Sequence, residues 1–515
     1  MKKHNTIKVV LIAVAVFLLL SWIIPAAVYS NGVVDQGRVQ MGLFDIVNYP
    51  VTVLSYFGYI AMYILAIGAF YGVLNKIPAY RTFLEKVAHI FKGTEKFGLI
   101  IIMLLLAVLT SIGGFQIALL ALFPFLAAVI LLMGFDKIVV ALTLVGPTML
   151  GVAGSTYGYD NTYLLKSLLS LDFTSEVITK VVILVVGLIL LIVNTLLYIK
   201  KSKAKAGEEK EIKKTTVKVE KTTKTTKTAS KKNTKAAKKE EEVIIVKEVV
   251  KEDSKENYDS AIVPDSVTGK HSVWPFIVAF SILFVVLVLA FMPWSKSFGV
   301  TAFDTAKTNV TSFKLFGFEL FGKLLGTVNA FGAWTLIDYI FALGFMLLFL
   351  ALVYKVKFDD VLDGMEDGLK KALPCAIIAV LLYTCLVINV YHPFQLNIYK
   401  AIVGGVTKLN FVSALGVALT GILTSIFNVS AEYAAQGVVP YVVALISDTG
   451  ANSILEVIYQ SMYGFTMLFA PTSLILMVTL SYLGVSYGKW MKTIWKFLLE
   501  FLAVLLIAFL ILILL

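Results

Sequence analysis

Long apolar runs separated by short polar stretches organise this chain, with one extended polar stretch near its middle. In the first part, runs near 7–29, 51–74, 97–113, 115–133, 138–154 and 174–199 each predict a helix. In the second, helices are predicted near 273–293, 334–354, 372–391, 411–429, 433–447, 453–470, 472–485 and 494–515. Many of these runs reach the roughly 20 apolar residues that a helix needs to cross about 30 Å of hydrocarbon. The short alternating segments of a transmembrane β-barrel are not seen. The pattern predicts an all-α polytopic membrane protein. Composition agrees, because 59% of residues are hydrophobic and mean hydropathy is +0.87, a balance foreign to soluble domains. Three units follow: an N-terminal transmembrane half (1–199), a linker (200–270) and a C-terminal transmembrane half (271–515).

Two polar breaks inside apolar segments stand out. Gly151–Asn161 reads Gly-Val-Ala-Gly-Ser-Thr-Tyr-Gly-Tyr-Asp-Asn, and Phe469–Ser473 reads Phe-Ala-Pro-Thr-Ser. Irregular backbone at membrane depth survives only where it is buried in protein or lines a cavity. Broken segments in corresponding positions of two halves mark the binding site of a secondary transporter, so inverted repeats with broken helices and re-entrant hairpins are expected. In the first break, Gly151 and Gly154 remove side chains while Ser155, Thr156 and Asn161 offer polar groups for a cation or a carboxylate. The alternative is an ordinary extramembrane loop, which the nearby Asp160 and Lys166 favour. In the second, Pro471 removes a backbone donor, and Thr472 and Ser473 add hydroxyls at the same depth. A kinked helix whose hydroxyls bond its own backbone is the alternative there.

Glu432, in Ser430–Pro440, is expected at or near membrane depth, where a carboxylate is a functional candidate. It could bind a proton, Na⁺ or a substrate amine; the alternative is a solvated turn at the membrane surface. Asp448 and Glu456 read as surface loop residues flanking Thr449-Gly450-Ala451-Asn452.

Net charge is +12, much of it in the Lys/Thr/Glu-rich 200–270 segment, whose few apolar residues predict a disordered spacer. Such a basic tract can touch anionic lipid, and with no interleaved aromatic residues nucleic acid is not an expected partner. Lys2 and Lys3, residues 75–96 (five basic minus two acidic, +3) and Lys200-Lys201 place the N-terminus and linker on the cytoplasmic side of the cell membrane. Six crossings satisfy these anchors. Ile7–Tyr29 follows Met1-Lys2-Lys3-His4 and is longer than a signal-peptide core, so it is read as an uncleaved first helix. Residues 355–371 form a second amphipathic stretch of opposite sign (four minus five, −1), which predicts one such helix on each membrane face. Residues 294–333 are read as an interfacial helix or a further crossing.

Catalytic chemistry is not indicated. His4, His89, His271 and His392 are not paired at metal-ligand spacing, and no Gly-x-x-x-x-Gly-Lys-Ser/Thr loop exists for ATP. Cys375 and Cys385 lie ten residues apart, about 15 Å on a helix, too far for a disulfide. No enzyme activity, resident metal or other cofactor is expected, although Na⁺ could bind at the breaks.

The motifs resemble the YfcC family, relatives of the anaerobic dicarboxylate carriers within the ion-transporter superfamily. The resemblance rests on Trp22-Ile23-Ile24-Pro25-Ala26, Gly134-Phe135-Asp136, Gly151 with Ser155, Ala470-Pro471-Thr472-Ser473 and Tyr487-Gly488-Lys489-Trp490. It covers most of the chain outside 200–270. Departures are Ala27 for glycine, Gly158-Tyr159-Asp160-Asn161 where Asn-Pro is usual, Gln116 and Ala118 where the family carries a glutamate, and Ala431-Glu432-Tyr433-Ala434 in the second hairpin. The resemblance implies a transporter of dicarboxylates or of amino acids such as arginine and ornithine.

The expectation is a secondary active transporter, cation-coupled (Na⁺ or H⁺) or an exchanger, for a small carboxylate-bearing solute. Gly151, Ser155, Thr156, Asn161, Glu432, Pro471, Thr472 and Ser473 are the candidate site residues. Glu432 favours an amino acid, particularly a basic one. A homodimer is a candidate assembly. The competing classes are a channel, which should show a continuous polar stripe, and a non-transporting scaffold, in which the breaks would be mere kinks.

Overall fold

The computed structural model describes residues 5–30, 33–37, 40–228, 259–265, 271–446 and 448–515. The first half contains α1 (Asn5–Ile23), a two-stranded hairpin of β1 (Ala26–Ser30) and β2 (Val33–Gly37), α2 (Asp45–Leu74), α3 (Pro78–Ile90), α4 (Glu95–Gly113), α5 (Phe123–Leu132), α6 (Lys137–Ala153), α7 (Leu164–Leu168) and α8 (Val177–Thr228). The second contains α9 (Trp274–Phe291), α10 (Trp294–Phe298), α11 (Ala302–Ser312), the short pair β3 (Lys314–Leu315) and β4 (Phe318–Glu319), and α12 (Leu320–Leu325). It continues with α13 (Leu336–Val353), α14 (Phe358–Tyr391), α15 (Gln395–Val403), α16 (Phe411–Phe427), α17 (Ala431–Gly437), α18 (Val439–Ile446), α19 (Asn452–Met467), α20 (Leu474–Leu483) and α21 (Tyr487–Leu514). Among the described residues, eight helices are long and apolar enough to span a membrane. This is an all-α polytopic membrane protein.

α2 and α14 pack antiparallel along their length and join the two halves. Tyr49 near the start of α2 meets His392 just past the end of α14 at 2.6 Å, while Lys76 just past α2 pairs with Asp367 near the start of α14 at 2.8 Å. Small residues four apart on both helices allow the close crossing. A methyl at Gly72 would lie 2.1 Å from the Gly364 carbonyl oxygen, and one at Gly368 would lie 2.0 Å from that of Gly68.

Two re-entrant hairpins enter from opposite faces. The face from which α8 leads into the 200–270 segment is called the linker face. In the first hairpin (α4 and α5), a methyl at Gly98 would lie 2.8 Å from the Met133 side chain, so the hairpin returns to the face where it began. Tyr198 of α8 donates to Asp136 at 2.9 Å, fixing that end at the linker face. In the second hairpin (α16 to α18), the Leu409 amide donates to Asp448 Oδ2 at 2.8 Å, again closing entry on exit. That end lies at the opposite face, beside the start of α19, where Asn452 donates to the Leu169 carbonyl after α7 at 3.4 Å. The expected six crossings of the first half thus become full spans plus a hairpin, with the same parity. The predicted 115–133 helix is broken because Gly114 takes a left-handed conformation (φ +73°) and ends α4.

The amphipathic stretches do not lie one on each face. The Lys76–Asp367 pair and the Gly72–Gly364 contact put 75–96 and 355–371 on the same face. Their opposite charges reflect attraction across one surface. The second stretch is continuous with the predicted 372–391 span as the single helix α14. Residues 294–333 form the small, largely exposed elements α10 to α12, not a crossing. The 200–270 segment is not a disordered spacer throughout: 200–228 continues α8 as helix, 229–258 and 266–270 fall outside the described residues, and 259–265 packs against the protein, with Ile262 and Val263 buried.

Candidate binding site at the helix breaks

α6 is buried on every side from Ile138 to Ala153, as an apolar helix at the centre of a bundle must be. Asp136 caps its start by accepting from the Ile138 and Val139 amides at 3.0 and 2.9 Å. This gives Gly134-Phe135-Asp136 a structural role. α6 stops at Gly154, and the chain resumes as a single π turn at Tyr159–Tyr163 before α7. The first break is therefore a discontinuous membrane helix, not a surface loop.

The tip of the first hairpin clasps this break. Ser111 Oγ donates to the Gly154 carbonyl at 2.7 Å, and the Ser111 carbonyl accepts from the Thr156 amide at 2.8 Å and from Ser155 Oγ at 3.1 Å. Gly114 and Gly158 touch backbone to backbone, since a methyl on either would lie 2.8 Å from the other's Cα. Gly151 lets α6 approach α4, for a methyl there would lie 2.6 Å from the Ala107 carbonyl oxygen. Asn161 donates to Gln116 at 3.4 Å, while its buried Oδ1 has no hydrogen-bond partner among the described residues. Across the boundary between halves, Gln460 of α19 donates to the Ser155 carbonyl at 2.7 Å and accepts from Thr162 at 2.9 Å.

The second break is built differently. α19 ends at Met467, Pro471 prevents its continuation, and α20 restarts at Leu474. α21 satisfies two of the freed carbonyls: Trp490 Nε1 donates to Leu468 O at 2.9 Å, and Tyr487 Oη to Phe469 O at 2.5 Å. This is the work of the Tyr487-Gly488-Lys489-Trp490 motif. The hydroxyls of Thr466, Thr472 and Ser473 are buried without hydrogen-bond partners among the described residues. They do not bond back to their own helix, unlike those of Thr424 and Ser425 in the second hairpin. That hairpin's tip is held by Asn428, which accepts from Asn389 at 3.1 Å and donates to Gln395 at 3.1 Å, and by Tyr463, which donates to the Val429 carbonyl at 2.9 Å.

The two breaks are not one shell of contacts. Gln460 touches the first break, and α19 runs seven further residues (467 − 460) to its end, about 10 Å along the axis. A small cavity between the halves lies beside the first break, lined by Asp160, Asn161, Thr424, Ser425 and Gln460.

Glu432 stands in the first turn of α17, just past the second hairpin's tip, and is exposed, accepting from Gln436 at 3.3 Å. α17 packs against the Tyr159–Tyr163 turn, which carries the half-buried Asp160. Glu456 is not a surface residue. It is fully buried in α19 and pairs with the equally buried Lys180 of α8 at 2.5 Å. Lys166, which suggested water, is buried too, its ammonium donating to the carbonyls of Phe173 at 2.7 Å and Ser175 at 2.6 Å. Asp448 is half-buried and holds the hairpin entrance. Both cysteines are buried and free. No group of three or more His, Cys, Asp or Glu side chains able to hold a metal occurs among the described residues.

Residues 4–250 match the family model DcuC, the C4-dicarboxylate anaerobic carriers. This supports a membrane transporter and points away from an enzyme. Among solved structures, the Alcanivorax borkumensis YdaH transporter is 13% identical, with 99% of this chain and 98% of that one covered and a TM-score of 0.37. Neisseria gonorrhoeae MtrF, described as illuminating a class of antimetabolite efflux pumps, is 11% identical, with 98% and 94% covered and a TM-score of 0.34. No curated protein matches the chain.

Proposed function

We propose that this protein is a secondary transporter of a small carboxylate-bearing solute, cation-coupled or exchanging. The observation that carries the reading is the pair of oppositely oriented hairpins, each set against a discontinuous helix, with buried hydroxyls at one break that have no partner among the described residues. Transporters bind solute at such breaks because helix N-termini attract anions, and C-terminal ends and free oxygens attract cations. α20 begins at the second break with Ser473 at its N-cap and Thr472 beside it, a suitable seat for a substrate carboxylate. Na⁺ is the candidate coupling ion at the C-terminal ends of α6 and α19; a proton is the alternative. The positive-inside pattern supports a cytoplasmic linker face.

The DcuC match nominates a C4-dicarboxylate as substrate. One observation favours an amino acid: α17, which carries Glu432, packs against the Tyr159–Tyr163 turn, which carries Asp160, and two carboxylates there, against the ammonium of Lys296 over the Tyr159 ring, would disfavour an arriving dianion and favour an amine. Uptake of labelled C4-dicarboxylates and amino acids into proteoliposomes, with the wild type and Glu432→Gln, separates these readings. For a dicarboxylate, Glu432→Gln keeps or raises uptake; for a basic amino acid, it lowers uptake. Absence of gradient-driven uptake or exchange for every solute of both classes would overturn the proposal.

A further inference from the structure

A cavity of about 570 Å³ opens between the halves at the linker face, away from the first break. Its walls come from both halves: Ile64 and Gly68 of α2, Leu144 of α6, Cys375 of α14, and Val478 and Thr479 of α20. Thr479 lies six residues (479 − 473) beyond Ser473, about 9 Å along α20, so the cavity leads from the linker face towards the second break. The lysines and arginine at its rim are already engaged: Lys76 with Asp367, Arg81 with Glu85, Lys370 with Glu366 and Lys371 with Asp259. Among the described residues that line the cavity, each cation is thus already paired with a carboxylate, which argues against the rim as a second substrate site.

One wall is supplied by residues 259–265, the piece of the central segment that docks on the bundle. Ser260, Ala261, Pro264 and Asp265 line the cavity. Ile262 and Val263 are buried at 3% and 2% exposure. The piece grips both halves at once. On the first, Asn75 donates to the Ala261 carbonyl at 3.3 Å and Arg81 to the Pro264 carbonyl at 2.8 Å. On the second, Asp259 pairs with Lys371. A spacer that merely tethers two halves has no reason to bury two branched apolar side chains or to bridge α2, α3 and α14.

We infer that residues 259–265 form a strap that narrows the mouth of the cavity at the linker face and must release for the cavity to open fully there. Because α2 and α14 stay packed at Gly72 and Gly368, the anchors on that pair do not separate, and widening the cavity mouth requires residues 259–265 themselves to lift from Asn75, Arg81 and Lys371. The strap therefore biases the carrier towards the state narrowed on this side. The inference goes beyond the proposed transport activity and is tested without it.

Cys375 lines the cavity and Cys385 is the only other cysteine, so the native thiols serve as reporters. The full-length protein, purified in nanodiscs, is reacted with a water-soluble maleimide in a Cys385→Ser background, and the rate at Cys375 is followed by mass shift. Lys371→Ala removes the ion pair. Ile262→Asp with Val263→Asp expels the apolar anchor. Both variants should raise the Cys375 rate at least ten-fold, whereas Cys385, read in a parallel Cys375→Ser series, stays unreactive. Unchanged Cys375 rates in both variants, or equal exposure of both cysteines in both, would overturn the inference.

Discussion

At the residue scale, the useful distinction is between polar groups that are satisfied and those that are not. Gln460 closes a network with Ser155 and Thr162, so Gln460→Ala leaves buried groups unpaired and should cost about 1–3 kcal/mol of stability. Thermal unfolding in detergent would measure the loss. Thr472 and Ser473 behave oppositely. With no partners to lose, Thr472→Ala with Ser473→Ala should leave the melting temperature unchanged or raised, yet weaken substrate at least ten-fold, about 1.4 kcal/mol. A large drop in stability would mean that these hydroxyls hold the fold instead. The Lys180–Glu456 pair gives a third contrast. Removing one partner, as in Glu456→Ala, should destabilise by about 3–5 kcal/mol, while replacing both by methionine should recover much of that loss.

The polar triplet Pro471-Thr472-Ser473 was legible in the sequence because it interrupts an apolar run. Gln460 and Ser111 were not, because their importance depends on which helices cross and no local pattern encodes that. Glu456 was misread for a related reason. The loop-like Thr449-Gly450-Ala451-Asn452 lies next to it in sequence, while its partner is 276 residues away.

At the scale of elements, apolar periodicity located the helices closely: the run near 51–74 becomes Asp45–Leu74, and that near 453–470 becomes Asn452–Met467. What periodicity did not resolve was the difference between a crossing and a hairpin. The run at 115–133 is as apolar as its neighbours, but Gly113 and Gly114 stop α4 and turn the chain back. The α2–α14 junction makes the sharpest prediction at this scale. Gly72→Leu cannot be accommodated against the Gly364 carbonyl without parting the helices, so it should abolish the monodisperse peak on size-exclusion chromatography. Gly58, with open space around it, should accept alanine freely.

For the whole molecule, the sequence indicated two halves with breaks but mispaired their parts. α3 precedes the first hairpin and α15 the second, whereas 355–371 shares a face with α3. Removing residues within 229–258 while keeping 259–265 should preserve folding and transport, provided that the remaining residues still span the gap. The central claim is that two hairpins entering from opposite faces, each against a broken helix, make a carrier. Counterflow in proteoliposomes tests it most directly: vesicles preloaded with unlabelled C4-dicarboxylate or amino acid are diluted into a trace of the labelled solute. A carrier gives a transient, saturable accumulation of label, lost in the Thr472→Ala, Ser473→Ala double variant. Label that equilibrates without accumulating, or does not enter at all, with every solute of both classes would contradict the claim, as a pore or an inert scaffold would behave that way.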